Sequence, residues 1–369
     1  MIATSLKSDV SPLFSPYRVG ELDLPNRIVM APMTRNFSPA GVPGPDVAAY
    51  YARRADLGLL ITEGAYIDHP TAGARDDVPR LYGEASLDGW RRVVDEVHAR
   101  GGRIIPQLWH VGAQRPAGAP PHPDAPVLSP SGVDVTGAPA GRAATTADID
   151  GLIAGYARSA KNAQAVGFDG LEIHGAHGYL LDEFFWQRTN RRTDGYGGDI
   201  AGRVRLATEV VRAVRAEVGP DFPVSYRFSQ WKMHNYDARI AGGPDELERY
   251  LVPLAEAGVS LWHVSTRRYW LPAFDSSPVT LAGWTKRITG MPTIALGSVG
   301  VATPFLASAA EGEDDPGLAP LVRLLEAGEF DLVGVGRAVL SDPQWAQKVR
   351  SGRLGEIRRH DRSHLAELV

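Results

Sequence analysis

The chain alternates between stretches with the apolar spacing of an amphipathic helix and short, uninterrupted apolar runs. The alternation is clearest in "AQAVGFDGLEIHG" (163–175), "LAEAGVSLWHVS" (254–265) and "LLEAGEFDLVGVG" (324–336), where a glycine separates the two parts. Glycine suits the left-handed residue that ends a helix, and a continuous apolar run suits a strand covered on both faces. Regular alternation of helix and strand predicts a parallel α/β sheet.

Eight apolar runs are candidate strands, and each is followed by a segment that can form a helix. They cover residues 27–32, 59–67, 103–110, 170–175, 223–229, 260–266, 292–298 and 330–336. Eight such units in about 250 residues plus insertions favour a closed (β/α)8 TIM barrel over an open sheet. The insertions follow strands three, four and six, so they extend the loops at the C-terminal face, where barrels build active sites. We therefore expect one domain over residues 1–369, with a lead at 1–26, the barrel at about 27–350 and a tail at 351–369.

Composition and charge narrow the classes of function. The chain has a net charge of -4 with acidic and basic residues mixed along it, and this pattern offers no basic surface for nucleic acid. No apolar stretch approaches the roughly 20 residues of a membrane span, and the N-terminus lacks a signal-peptide pattern. We expect a cytoplasmic monomer or homodimer that binds neither nucleic acid nor membrane. Since cysteine is absent, the chemistry has to rest on His, Tyr, carboxylates, Arg or a cofactor.

Polar side chains gather where the candidate strands end. Because alternate positions of a strand share a face, Gln107, His174 and Arg227 are expected near one mouth of the barrel. His177 and Tyr179 follow on the loop after the fourth strand. Barrels also bury single hydrogen-bonded polar residues without any function, but the convergence of three on adjacent strands favours a site.

The two histidines of "HGAH" could alternatively bind a metal ion. His174 and His177 would then need a third and usually a fourth ligand, for which His110 and His263 are the candidates. The first strand ends in "MAPMTR", which offers no ligand, and no strand carries a His-x-His pair. We therefore expect no metal.

Glycines and an arginine follow the last two strands, in "ALGSVGV" (295–301) and "GVGRAVL" (334–340). This is where barrels most often bind phosphate, through backbone N–H groups and a guanidinium. A phosphate at this corner, with a ring over the mouth that meets Gln107 and Arg227, would describe a cofactor of mononucleotide size.

Several ordered motifs resemble the old yellow enzyme family of FMN-dependent ene-reductases, across about residues 12–350. The matching stretches are "LPNRIVMAPMTR" (24–35), "LLITEGAYI" (59–67), "PQLWHVG" (106–112), "HGAHGYLLDEFF" (174–185), "NRRTDGYGG" (190–198), "YRFS" (226–229) and "GVGRAVLSDPQW" (334–345). The resemblance implies non-covalent FMN, NADPH or NADH as reductant, and small activated alkenes as substrates.

The resemblance also implies which residues bind the cofactor. Thr34 would lie near the reactive edge of the flavin, Gln107 at its pyrimidine side, and Arg227 opposite N1, where reduced flavin carries negative charge. The implied cofactor-binding residues are Pro32, Met33, Thr34, Ala65, Gln107, Arg227, Gly297, Ser298, Gly336 and Arg337.

By the same resemblance, His174 and His177 would donate hydrogen bonds to the carbonyl oxygen of the substrate, and Tyr179 would protonate its α-carbon. Two imidazole donors can stabilise the charge that hydride transfer pushes onto that oxygen, and a phenol is a suitable general acid. His177 stands where many members of the family have Asn. Histidine keeps a hydrogen-bond donor at this position, but unlike Asn it is titratable. Trp109 and Tyr269 are expected to bind substrate, with the aromatic-rich loops 229–236 and 267–274 shaping the pocket.

Three other functions stay open at this point. The same site could reduce nitro compounds, nitrate esters or quinones, because reduced flavin itself performs the difficult step. A flavin-free barrel could act as a lyase or isomerase on a phosphorylated substrate, with the His and Tyr side chains as acid and base. A flavin-binding sensor or store without turnover is the third possibility.

Overall fold

Eight parallel strands close into a barrel in the computed structural model, which describes residues 9–233, 235–301 and 317–369. The barrel strands, named β1 to β8 in chain order, are Ile28–Met30, Leu59–Tyr66, Ile104–Trp109, Leu171–His174, Val224–Ser229, Leu261–Ser265, Thr293–Leu296 and Leu332–Val335. Each strand pairs in parallel with its neighbour in the sequence, and β8 pairs with β1 to close the sheet. The prediction of a (β/α)8 barrel and of its eight strands is confirmed.

Helices lie between the strands and cover the outside of the barrel. They are Pro45–Ala52, Glu84–His98, Thr146–Val166, Leu180–Phe185, Ile200–Val218, Pro244–Ala257, Leu281–Thr289, Leu318–Glu326, Arg337–Ser341 and Trp345–Arg350, with 3-10 turns at Ser11–Phe14, Pro39–Gly41, Gly112–Gln114, Leu354–Glu356 and Arg362–Ala366. The helix before β4 ends at Gly167 with φ of 101°, and the helix before β6 ends at Gly258 with φ of 118°. Both glycines adopt the left-handed conformation that the sequence pattern predicts, since a side chain would be strained there. None of the helices in the described residues is long and apolar enough to cross a membrane.

The two ends of the barrel differ in chemistry. At the N-terminal end, a hairpin of Tyr17–Val19 and Leu22–Leu24 packs its apolar side chains against apolar side chains of the barrel strands, including Val29 and Leu261. Two further short strand pairs, Leu128–Ser129 with Arg142–Ala143 and Pro272–Phe274 with Ser277–Thr280, lie in the insertions after β3 and β6. Because the N-terminal end is filled with apolar side chains, the polar residues of the strands collect at the C-terminal end.

Candidate active site

A cavity of about 640 Å³ opens at the C-terminal mouth of the barrel. Its lining includes most of the residues predicted to bind cofactor or substrate. Those that line it are Pro32, Met33, Thr34, Gln107, Trp109, His174, His177, Tyr179, Arg227, Gly297, Ser298, Gly336 and Arg337. Every barrel strand contributes a residue at its end or directly after it, because parallel strands bring all their carboxyl ends to the same face.

Ala65 and Tyr269 lie outside the lining formed by the described residues. The register of β2 against β3 shifts between Ile61 and Gly64, so it is Gly64 that reaches the cavity, while Ala65 is fully buried beside it. Tyr269 is also buried, and its backbone N–H donates to the carbonyl of Gly297 at 3.3 Å. Tyr269 therefore supports the loop after β7 and does not form the wall of the pocket.

Gln107 and Arg227 lie at the floor of the cavity, on β3 and β5. The Gln107 amide Nε2 donates to the buried carboxylate of Glu172 at 2.8 Å. The Nε atom of Arg227 is buried and has no hydrogen-bond partner among the described residues. Burial lowers the pKa of Arg227 to about 10, against the opposing charge of Glu172, so the guanidinium is still protonated at neutral pH.

His174 ends β4 and has a defined tautomer. Its Nδ1 accepts the backbone N–H of Ala176 at 3.2 Å, so in the neutral ring the proton resides on Nε2. The ring lies parallel to that of Trp109, with centroids 6.3 Å apart and planes at 20°. Burial, followed by the charge of Arg227, holds the pKa of His174 well below its usual value. His174 is therefore a neutral side chain with an Nε2–H donor.

His177 lies on the loop after β4 in a left-handed conformation, with φ of 63°. Its backbone N–H donates to Ser229 Oγ at 2.8 Å, and its ring stacks on Trp231 with centroids 4.3 Å apart. Its Nε2 is 2.9 Å from Ser265 Oγ, at the end of β6. Burial, followed by the charge of Arg227, holds the pKa of His177 well below its usual value. The two imidazoles, with centroids 5.4 Å apart, are thus both neutral.

Tyr179 stands beside the two histidines. Its ring meets His174 edge-on at 5.1 Å and Trp109 edge-on at 5.0 Å. Burial raises the pKa of Tyr179 to about 12, so the phenol is protonated at neutral pH. One wall of the cavity therefore carries a phenol and two neutral imidazoles.

A buried ion pair holds the turn that carries His177 and Tyr179. Asp182 accepts the backbone N–H of Gly178 at 2.6 Å and pairs with Lys232 Nζ at 2.5 Å. Both charged side chains are almost completely buried, and Lys232 comes from the loop after β5. The backbone N–H of Met233, in the same loop, donates to the backbone carbonyl of His177 at 3.1 Å. The segment 230–233 is therefore joined directly to the turn that carries His177 and Tyr179.

The glycines predicted to bind phosphate lie on the opposite side of the cavity, after β7 and β8. A side chain at Gly297 would place its Cβ 2.7 Å from the carbonyl oxygen of Thr266, so only glycine fits this approach. Ser298 adopts a left-handed conformation with φ of 52°, and its hydroxyl donates to the carbonyl of Arg267 at 2.8 Å. Arg337 lies in the same lining. This corner therefore offers both closely approachable backbone and a positive charge, the two features that a phosphate site requires.

The C-terminal tail covers part of the cavity, which the sequence did not predict. Its residues in the lining are His360, Asp361, Arg362 and Leu365. The Arg35 guanidinium, just beyond the predicted flavin-binding segment, donates to the carbonyl of Glu367 at 2.5 Å. His360 Nδ1 is 2.8 Å from Ser341 Oγ, and burial, followed by the charge of Arg337, lowers its pKa to about 4. No apolar periodicity in residues 351–369 signals this docking, which combines polar contacts to distant parts of the chain with packing of Ile357 and Leu368 against the core.

The histidines considered as further metal ligands have other partners. His110 Nδ1 accepts the backbone N–H of Gly112, and its Nε2 bonds to Thr71 Oγ1 at 2.8 Å. His263 Nδ1 donates to Glu172 at 2.8 Å. Within residues 9–233, 235–301 and 317–369, no group of three or more His, Asp or Glu side chains is arranged to hold a metal ion.

The residues of the cavity fit an FMN molecule. Arg227 Nε has no hydrogen-bond partner among the described residues, and the Gln107 Nε2 is held by Glu172, so both side chains suit a polar ring edge at the floor. The close backbone approach at Gly297 and the cation of Arg337 suit a phosphate at the other side. The volume of about 640 Å³ is within the range of cofactor pockets.

Comparison with known proteins gives a consistent result. Residues 12–356 match the family described as NADH:flavin oxidoreductase / NADH oxidase. The chain is 36% identical over 358 residues to 12-oxophytodienoate reductase 7 of Oryza sativa subsp. japonica, covering 92% of this chain and 88% of that protein. It is 37% identical over 348 residues to chanoclavine-I aldehyde reductase of Penicillium roqueforti, covering 92% and 89%. The structure of morphinone reductase in complex with tetrahydroNAD superposes with a TM-score of 0.78 at 30% identity, covering 96% of this chain and 93% of that one.

Proposed function

Since this chain belongs to the NADH:flavin oxidoreductase / NADH oxidase family, we propose how its own residues carry out the chemistry of an FMN-dependent ene-reductase. The protein is an NAD(P)H-dependent flavin oxidoreductase of the old yellow enzyme family. Family membership removes the flavin-free lyase or isomerase from the alternatives. The substrates we propose are small α,β-unsaturated carbonyl compounds, reduced at their carbon–carbon double bond.

FMN is bound by two groups of residues in this proposal. Gln107 and Arg227 bind the ring at the floor, and Arg337 with the backbone at Gly297 and Gly336 binds the phosphate. Bound FMN would supply the hydride chemistry, with NADPH or NADH as the source of the hydride and the β-carbon of the alkene as its acceptor. The protein contributes the binding, the orientation and the electrostatic stabilisation.

His174 and His177 hold the carbonyl oxygen of the substrate. His174 offers Nε2–H, since its Nδ1 is occupied by the N–H of Ala176. For His177 we take the Ser265 hydroxyl as donor to Nε2, which leaves Nδ1–H for the substrate. Because both rings are neutral, they bind the uncharged carbonyl and bind more strongly as negative charge develops on its oxygen.

Tyr179 supplies the second hydrogen of the product. Its Oη proton moves to the α-carbon, and solvent later restores the phenol. A pKa of about 12 keeps the proton on Oη until a strongly basic carbon is present. Its ring neighbours Trp109 and His174 are only 8% and 5% exposed, which limits the access of water that would compete as a proton source.

The observation that carries this proposal is the wall formed by His174, His177 and Tyr179, with ring centroids 5.1 and 5.4 Å apart. Phenols test it, because a phenolate places an anionic oxygen where the developing oxyanion would lie. We expect His174→Ala and His177→Ala in the FMN-loaded protein to weaken phenol binding by about tenfold or more, as a lost hydrogen bond to a charged group predicts. His98→Ala is the matched control, since His98 pairs with Asp169 at the surface. Unchanged phenol dissociation constants in both site variants would refute the oxyanion role.

A further inference from the structure

One carboxylate lies completely buried beneath the cavity and has no part in the mechanism above. Glu172, on β4, has 0% of its surface exposed. It accepts hydrogen bonds from Gln107 Nε2 at 2.8 Å, Ser225 Oγ at 3.0 Å and His263 Nδ1 at 2.8 Å. A carboxylate with this many donors is held in a single orientation, and it in turn fixes the groups that donate to it.

The charge of Glu172 opposes that of Arg227. Burial alone would raise the pKa of Glu172, but His263, Arg227 and Gln107 together outweigh burial and lower it, so the group is ionised. Burial lowers the pKa of His263, and its Nε2 has no hydrogen-bond partner among the described residues, so His263 is a neutral donor. The floor therefore carries one negative and one positive charge that offset each other.

The contact with Glu172 also fixes the Gln107 amide. An amide has one donor end and one acceptor end, and here the donor end faces the carboxylate. The acceptor end then remains for a ligand in the cavity, which Gln107 and Arg227 both line. The pyrimidine edge of a flavin carries the complementary hydrogen-bonding groups: its N3–H donor suits the oxygen of Gln107, and the acceptor atoms that flank N3–H suit the donors of Arg227.

We propose that Glu172 is a positioning residue that presents the acceptor oxygen of Gln107 to FMN and offsets the charge of Arg227, which keeps the reduction potential of the bound flavin low. Reduced FMN carries more negative charge than oxidised FMN. An unopposed Arg227 would therefore favour the reduced form, and Glu172 limits this effect. The inference rests on FMN occupying this cavity.

Two substitutions separate the charge from the anchoring contact. Glu172→Gln keeps the shape and removes the charge, so the equilibrium between reduced and oxidised flavin should shift at least tenfold towards the reduced form, which is about 30 mV for a two-electron couple. Glu172→Asp keeps the charge but is one methylene shorter. It should weaken FMN binding at least fivefold and move the redox equilibrium by less than threefold. Ser225→Ala is the control, because it removes one donor and no charge, and it should leave the equilibrium within twofold of the parent.

The measurements are anaerobic titration against a dye of known potential and the FMN dissociation constant of each variant. Failure of the parent to bind FMN would overturn the proposed function itself. An FMN-binding parent and a Glu172→Gln variant with the same redox equilibrium would overturn only the charge role. If Glu172→Gln does not fold, Glu172→Asp decides the anchoring role: unchanged FMN affinity would refute it.

Discussion

Replacing Tyr179 by Phe should separate the two half-reactions of the enzyme. The substitution removes only the hydroxyl, since the ring contacts with His174 and Trp109 at 5.1 and 5.0 Å are those of a phenyl group. Among the described residues, no side chain or backbone group bonds to this hydroxyl. We therefore expect the free energy of unfolding to change by less than about 1 kcal/mol.

The kinetic effect should be much larger than the effect on stability. General acid catalysis contributes about 10² to 10⁴ in rate, so reoxidation of the reduced enzyme by 2-cyclohexenone should slow by that factor. Reduction by NADPH needs no proton from Tyr179 and should stay within about threefold of the parent rate. Because the pKa of Tyr179 is raised to about 12, the parent should retain its proton donor as pH rises to about 11 and lose it above that.

Stopped-flow absorbance of the flavin measures both half-reactions. A quinone as alternative oxidant is the internal control, since its reduction requires no proton at carbon, and its rate should fall much less. Equal slowing with both oxidants would indicate general damage to the site. Undiminished reoxidation by 2-cyclohexenone would exclude Tyr179 as the acid.

Three further substitutions test the phosphate site, the tautomer of His177 and the ion pair of Lys232 with Asp182. Arg337→Ala should weaken FMN binding by about 1.5 to 3 kcal/mol, the value of a hydrogen bond to a charged group, and an unchanged FMN dissociation constant would show that the phosphate lies elsewhere. Ser265→Ala removes the group that we take to donate to His177 Nε2, so phenol binding should weaken by about 1 kcal/mol, and equal binding would favour the other tautomer. Lys232→Met leaves Asp182 buried without its counter-charge and should cost about 3 to 5 kcal/mol in urea unfolding; a loss under about 1 kcal/mol would contradict the structural role of the pair.

Local patterns were sufficient to predict the barrel. Continuous apolar runs mark strands covered on both faces, and glycines such as Gly167 mark helix ends. Once the strands are counted, the closed topology brings their carboxyl ends together. For this reason, the positions of Gln107, His174 and Arg227 at one mouth could be anticipated from strand numbering alone.

Features that depend on distant contacts or local irregularity could not be predicted. The shift in register within β2 puts Gly64 rather than Ala65 in the lining, and no sequence pattern identifies such a bulge. The tail docks through the guanidinium of Arg35, whose partners are backbone carbonyls more than 300 positions away. The contact of Ser265 with His177 joins the end of β6 to the loop after β4, so it becomes visible only in the folded structure.

The central claim is that this chain uses FMN to reduce an activated alkene with hydride from a nicotinamide and a proton from Tyr179. Anaerobic reaction of the FMN-loaded protein with 4-deuterated NADPH and 2-cyclohexenone in ordinary water, followed by the reverse labelling in deuterated water, tests it most directly. We expect cyclohexanone with one deuterium at the β-carbon in the first case and one at the α-carbon in the second. Tyr179→Phe should slow formation of this product by about 10² to 10⁴. Reduced flavin that is not reoxidised by the enone, or deuterium from NADPH at the α-carbon, would contradict it.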